Sequence, residues 1–147
     1  MGLDMYLNKG NSEFFYWRKA NAIHNFFVNN VQDGVDDCGT YHVPLEAFEE
    51  LSERLHRIAD PIVALYPEIN IHKSEEFVRI IDDLVTNIAS AKILEICKEV
   101  LPTTVGFFFG STDYNRWYFA DVFQTMEVVD RILDEEYDED FSYHASW

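Results

Sequence analysis

The chain has 147 residues, which fits one domain, and 48% of them are hydrophobic, enough to build a core and to exclude global disorder. Its formal net charge of −16 argues against direct binding to nucleic acid or to an anionic membrane, because both are polyanions. A basic protein partner or a cationic ligand remains compatible with that charge.

Neither a signal peptide nor an apolar run of membrane-spanning length is visible in the sequence. The two cysteines, Cys38 and Cys97, match no metal-binding or redox spacing and are expected to be free thiols. We therefore expect a cytoplasmic protein without a cofactor or a bound metal.

The N-terminal part predicts a strand followed by a long helix. Residues 1–7 alternate between apolar and polar side chains, as a half-buried strand does. A turn is predicted at Lys9–Ser12. From about Glu13 to Gln32, apolar residues recur at three- and four-residue steps, which predicts an amphipathic helix that ends before Gly34.

The middle of the chain predicts further helices. A brief strand is expected over residues 40–43, then a helix from Pro44 to about Ala59 that Asp60-Pro61 would break. Residues 60–74 show no clear pattern. A helix is expected from an N-cap at Ser74, and the pattern to Leu101 fits either one bent helix or two.

The C-terminal part centres on three phenylalanines between Gly106 and Gly110, which predict a buried strand at 107–109. Thr112 or Asp113 is expected to cap a helix that runs to about Leu133, and the acidic segment 134–140 is expected to be solvated and flexible. Residues 141–147 alternate again, and a strand there could pair with the N-terminal strand or with the phenylalanine strand. The predicted fold is α+β, a single domain over residues 1–147 with four or five helices on a small, mostly antiparallel sheet.

The first candidate site lies on the predicted first helix. Trp17, Asn21 and His24 would share one face at i, i+4 and i+7, offering an aromatic plane, an amide and an imidazole. Arg18 and Lys19 beside them carry the densest positive charge of this acidic chain, and the planar guanidinium of Arg18 suits a phosphate or carboxylate. The alternative is that Trp17 belongs to the core, that Asn21 bonds to a loop and that Arg18 pairs with an acid.

The second candidate is the loop Asp36-Asp37-Cys38. Adjacent carboxylates can bind a cation or a ligand hydroxyl, but no metal-loop spacing is present, and Asp37 capping a turn is the commoner arrangement. Cys38 would need a base to act as a nucleophile, and His24 is the residue to consider for that part.

The third candidate flanks the phenylalanines. Its hydroxyl groups could donate to phosphate oxygens, helped by the N-terminus of the following helix, and Asp113 could hydrogen-bond to the ligand, although no recognised phosphate loop is present. Ordinary turn and cap chemistry is the alternative. The residues concerned are Thr103, Thr104, Ser111, Thr112, Asp113 and Tyr114.

Acidic residues also cluster at Glu46–Glu53 and at Glu127–Asp140. Such faces usually serve solubility, but they could also imitate nucleic-acid phosphates and occupy the basic groove of a partner.

Several segments of the chain resemble those of small uncharacterised proteins from bacteriophages and bacterial genomes. These segments are MGLDMYL, YWRKANAIH, VQDGVDDCG, LPTTVGFFFGSTDY and YHASW. This resemblance covers both ends of the chain but not residues 60–90. It implies an accessory role, for example in countering host defence.

The leading hypothesis is a phage-type accessory protein that binds a small polar, nucleotide-like ligand. The pocket would lie between the first helix, the Asp36-Asp37 loop and the ends of the phenylalanine strand. Two alternatives stay open: an acidic inhibitor of a basic host defence nuclease, such as a CRISPR effector, and a small hydrolase-like enzyme using His24 as general base.

Overall fold

The computed structural model describes residues 2–87, 90–106 and 108–147. Four antiparallel strands form one sheet in the order β2-β1-β4-β3. Within these residues the sheet packs with five α-helices, which confirms the predicted α+β class. The strands are β1 (Asp4–Lys9), β2 (Ser12–Arg18), β3 (Thr40–His42) and β4 (Phe141–Ser146). The helices are α1 (Asn21–Asn30), α2 (Leu45–Leu65), α3 (Ser74–Thr86), α4 (Ser90–Val100) and α5 (Arg116–Arg131).

The strands at the two ends of the chain form the centre of the sheet. β4 pairs with β1, which is one of the two pairings predicted for the C-terminal strand. β3 pairs with the other side of β4. The alternating apolar side chains of both central strands point into the core, where each is at most 2% exposed. These are Leu3, Met5 and Leu7 at the start of the chain, and Phe141, Tyr143 and Ala145 at its end.

The prediction of one helix from Glu13 to Gln32 is wrong for its first part. Residues 12–18 form β2, which makes a hairpin with β1 around a two-residue turn, with Lys9 opposite Ser12. Gly10 supplies the positive φ of 60° that such a turn needs. The run FFYW at 14–17 consists of aromatic residues, which favour strands, and this preference outweighs the apparent helical spacing. α1 itself begins only at Asn21.

α2 also differs from the prediction, because it continues through Pro61 to Leu65 instead of ending near Ala59. A proline inside a helix removes one backbone hydrogen bond. The apolar face nevertheless continues across it, since Ile58 and Ile62 are both fully buried. Burial of Ile62 offsets the lost hydrogen bond.

The open question about residues 74–101 is resolved as two helices, α3 and α4. Residues 88 and 89 between them lie outside the described part. The expected N-cap at Ser74 is displaced by one residue, since Lys73 occupies that position and provides no side-chain cap.

The strand predicted over 107–109 is not found at the residues described there. Phe109 N–H donates to the Gly106 carbonyl at 3.2 Å, which closes a turn, and Phe108 adopts a positive φ of 59°. Phe109 is buried as predicted, but Phe108 is exposed, and Phe107 lies outside the described residues. The ring of Phe109 folds back against Gly106, where an added Cβ would lie 2.3 Å from it. The glycine therefore permits a turn where an extended strand was expected.

The last helix starts later than predicted, because Asn115 caps α5 instead of Thr112 or Asp113. The helix ends at Arg131, near the predicted Leu133, and continues as a π-helical turn, Ile132–Glu136. The acidic segment then contacts the β1–β2 turn: Gly10 N–H donates to the Asp140 carbonyl at 3.0 Å. Its flexibility stays a prediction. No helix among the described residues is long and apolar enough to cross a membrane.

Candidate functional site

A cavity of about 410 Å³ opens where β2 passes into α1, opposite the first two turns of α5. Five residues from the predicted site line it, namely Arg18, Asn21, Thr103, Ser111 and Asp113. The structure thus brings the end of the predicted first-helix site together with the segment around Ser111.

Seven other predicted residues lie outside this cavity lining. They are Trp17, His24, Asp36, Asp37, Thr104, Thr112 and Tyr114. Among them, the side chains of Trp17, His24, Asp36 and Asp37 make hydrogen bonds to other parts of the fold.

Asn21 fixes the shape of the cavity wall. Its amide nitrogen donates to the carbonyls of Phe109, at 3.1 Å, and Ser111, at 2.9 Å. Its amide oxygen accepts from Thr104 N–H at 3.0 Å. Asn21 is only 4% exposed, and its side chain joins the start of α1 to both ends of the 104–111 segment. Asn21 is therefore a positioning residue, in agreement with the alternative in which it hydrogen-bonds to a loop.

Trp17 does not share a helical face with Asn21 and His24, because it belongs to β2. Only 4% of it is exposed, and its indole N–H donates to Thr125 Oγ1 at 2.8 Å. The ring packs edge-on against Phe15. In this arrangement Trp17 is part of the core and offers no free face to a ligand in the cavity.

His24 joins the first helix to the C-terminal strand. It is 1% exposed, with Nδ1 at 2.6 Å from Tyr143 Oη and Nε2 at 3.0 Å from the Asp36 carboxylate. Trp147 Nε1–H also donates to Asp36 at 3.0 Å. A neutral imidazole with its proton on Nε2 satisfies every one of these groups, with Tyr143 as donor to Nδ1. Burial lowers the pKa of His24, although Asp36 acts in the opposite direction.

Asp37 closes the turn that precedes β3. Its carboxylate accepts from Gly39 N–H at 2.9 Å and from Tyr41 Oη–H at 2.8 Å. These bonds lower its pKa, that of Tyr41 contributing most. This is the turn-capping arrangement. No cluster of three or more potential metal ligands occurs within the part of the chain that the structure describes.

The hydroxyl groups around the cavity make local bonds. Thr103 Oγ1 donates to the Thr112 carbonyl at 2.9 Å, and Ser111 Oγ accepts from Asp113 N–H at 3.0 Å. Thr103 N–H donates to Tyr114 Oη at 3.3 Å. These contacts match the turn-and-cap alternative for this segment.

The N-terminus of α5 does not provide the expected phosphate-binding group. Asn115 Oδ1 already accepts from the backbone N–H of Trp117, at 3.1 Å, and from that of Tyr118, at 3.4 Å. The N-terminus of α1 differs, because among the described residues no side chain caps it, and neither helix has an acid in its first turn. Asn21 and Ala22, the first two residues of α1, line the cavity. The N–H groups that no side chain caps are thus those at the start of α1, where the helix dipole also favours an anion.

Positive charge gathers at this same wall. Arg18 and Lys19 line the cavity directly before α1. Arg18 Nη1 lies 3.5 Å from Asp4 Oδ1, a partly exposed ion pair that leaves other guanidinium nitrogens for a ligand. Lys19 has a φ of 57°, and its N–H is held by the Leu3 carbonyl at 2.8 Å. This constrained backbone turns the chain from β2 into α1.

Three residues of α5 line the cavity without having been predicted as site residues, namely Trp117, Tyr118 and Asp121. Trp117 is 71% exposed, and Asp121 lies one turn further along the helix. Burial raises the pKa of Asp121 to about 7. In the sequence, Asp121 was recognisable as an acid next to the apolar stripe that contains Tyr118 and Val122, which indicated partial burial. Among the other lining residues, Lys19 belongs to the positive charge noted at the first candidate site, whereas Ala22, Gly110 and Asn115 were not predicted.

No protein-family model, no curated protein and no solved structure matches this chain.

Proposed function

We propose that this protein binds a small polar, nucleotide-like ligand in the cavity between α1 and α5. The observation that carries the proposal is the combination of two cationic side chains, Arg18 and Lys19, with the exposed indole of Trp117 around one cavity. A nucleotide offers the matching anionic and aromatic groups.

The anionic part of the ligand would lie at the start of α1. Guanidinium groups bind phosphate oxygens through paired N–H donors, and the ammonium group of Lys19 adds a compact charge. The α1 dipole favours a negative charge at the same place. In a chain of net charge −16, a local concentration of this kind is needed to hold an anion.

The aromatic part would stack on Trp117. Base stacking on an aromatic side chain contributes roughly 1–3 kcal/mol to binding. An indole that is 71% exposed at a cavity mouth has a face available for such stacking. The cavity volume of about 410 Å³ falls near the lower end of ordinary ligand sites, which favours a mononucleotide-sized ligand.

The resemblance to phage proteins gives this binding a biological setting. A phage protein that sequesters a nucleotide signal would deprive a host defence system of its activator. We extend the proposal to this accessory role.

Isothermal titration calorimetry with mononucleotides and cyclic dinucleotides tests the ligand proposal. We expect heat of binding with at least one of them, and an affinity at least about fivefold lower in Lys19→Ala, because a charge contact to phosphate is lost. Lys92→Ala is the matched control, since Lys92 is exposed on α4 outside the cavity lining, and it should bind like the wild type. Absence of heat with every compound in the wild type would reject the proposal.

A second candidate function is inhibition of a basic protein. It is favoured by the contact of α2 with α5, where Ser52 Oγ donates to Asp130 and His56 Nε2 lies 2.6 Å from the same carboxylate. Glu49 and Glu53 neighbour these residues on α2, so acids of two helices adjoin. Inhibition of a basic nuclease should then weaken with added salt and in Glu49→Lys/Glu53→Lys. Unchanged inhibition in that variant would count against it.

A further inference from the structure

Asp121 is a carboxylate without a described partner on the cavity wall. Among the described residues, no hydrogen bond or ion pair to its side chain is found, although it lies partly buried between Tyr118 and Val122. A partly buried carboxylate that has lost some of its hydration and gained no hydrogen bond lowers the stability of the protein. A ligand that donates to it would relieve this cost.

The position of Asp121 relative to Trp117 restricts the ligand. The two residues are four apart on α5, so they share a helical face one turn from each other. Both line the cavity, with Trp117 far more exposed than Asp121. A planar ring stacked on the indole would therefore present its edge toward the carboxylate.

A carboxylate accepts best from two parallel N–H donors. Guanine carries adjacent donors, N1–H and the 2-amino group, on one edge. Hypoxanthine has the N1–H but lacks the amino group, and adenine replaces N1–H by an acceptor. Of these bases, guanine alone matches both carboxylate oxygens.

We propose that the cavity selects a guanine nucleotide, with the base edge on Asp121, the ring against Trp117 and the phosphate at Arg18 and Lys19. This rests on the proposed function and specifies the ligand of the same site. The other charged or titratable groups lining the cavity are Asp113 and Tyr118.

The test is calorimetric titration of the full chain with GMP, IMP and AMP at pH 8, where Asp121 is mostly ionised. We expect GMP to bind about tenfold or more tighter than IMP, since one charge-assisted hydrogen bond distinguishes them. Asp121→Asn should reduce the affinity for GMP to about that for IMP, because an amide supplies just one acceptor. Glu127→Gln, a charge-matched change on α5 outside the cavity lining, should keep the preference for GMP.

Equal binding of GMP and IMP, or a preference that persists in Asp121→Asn, would overturn the guanine assignment while leaving nucleotide binding intact. If none of the mononucleotides or cyclic dinucleotides binds, the proposed function itself fails, and the guanine assignment fails with it. Circular dichroism spectra of the variants would establish that each is folded.

Discussion

Asn21 and Asp121 line the same cavity, but the side chain of Asn21 is fully hydrogen-bonded, whereas that of Asp121 has no hydrogen-bond partner among the described residues. The amide of Asn21 holds three backbone groups of the opposite segment, so its contribution is to shape the wall. Among the described residues no partner contacts the carboxyl of Asp121, so it is the group through which a ligand can gain most. The contrast separates a residue that builds the cavity from one that can recognise its contents.

The carboxyl of Asp121 should make the stability of the free protein depend on pH. Its pKa is about 7 in the folded chain against an ordinary value of 3.8, so the folded state holds the extra proton between these values. The contribution of Asp121 to the free energy of unfolding therefore falls as pH rises from about 4 to 7. Asp121→Asn should be more stable than the wild type at pH 8, by roughly 1–3 kcal/mol, and show no such gain at pH 4.

Urea denaturation of both proteins at the two pH values measures this difference. Glu95→Gln provides the control for removing an acid, because Glu95 is exposed on α4 and no ion pair to it is found among the described residues, and it should show little dependence on pH over this range. A wild type that is as stable as Asp121→Asn at pH 8 would show that the carboxyl is not destabilised by burial.

At the scale of the structural elements, the close approach of Phe109 to Gly106 depends on the absence of a side chain at Gly106. Gly106→Ala would place a methyl group 2.3 Å from the ring of Phe109. That ring also lies edge-on to His24, at a centroid distance of 5.4 Å, and to Trp147, at 6.0 Å. We expect a loss of about 1–3 kcal/mol in unfolding free energy, typical of overpacking, measured by thermal or chemical denaturation.

Val105→Ala is the control for this substitution, since Val105 is the exposed neighbour in the same segment. It should leave stability nearly unchanged. If Gly106→Ala were as stable as the wild type, Phe109 would not need the close approach to the backbone.

The sequence predicted helices and strands correctly where the apolar residues recur with a single period, either that of a strand or that of a helix. The alternation at both ends of the chain led to β1 and β4, and the stripes of α2, α3 and α5 led to helices. They failed where two signals competed. At Glu13–Arg18, helical spacing coincided with aromatic residues that favour strands, and at Pro61 a helix-breaking residue met a continuing apolar face.

Part of the candidate site was also predicted from the sequence. Arg18, Asn21 and Ser111 were identified as neighbours although the supporting strand at 107–109 is absent from the residues described there. The missed residues, Trp117 and Asp121, lie beside the apolar stripe of α5 and meet the residues of α1 only around the cavity of the folded chain. Sequence alone also placed the cap of α5 two or three residues before Asn115.

At the scale of the whole molecule, the cavity sits where local positive charge meets a strongly negative protein. Twenty-seven acids against eleven lysines and arginines repel anions at long range. A phosphate must therefore gain its binding energy from short contacts at Arg18, Lys19 and the start of α1. Affinity for a nucleotide should accordingly be specific and confined to one site.

Nuclear magnetic resonance mapping tests this central claim most directly, because it reports where a ligand binds as well as whether it binds. Titration of the ¹⁵N-labelled protein with GMP should shift the amide signals of Lys19, Ala22 and Trp117, together with the indole N–H of Trp117. The indole signal of buried Trp17 and the amides of α3, none of whose residues lines the cavity, should stay in place. Shifts confined to α3, or none at millimolar GMP, would contradict the account.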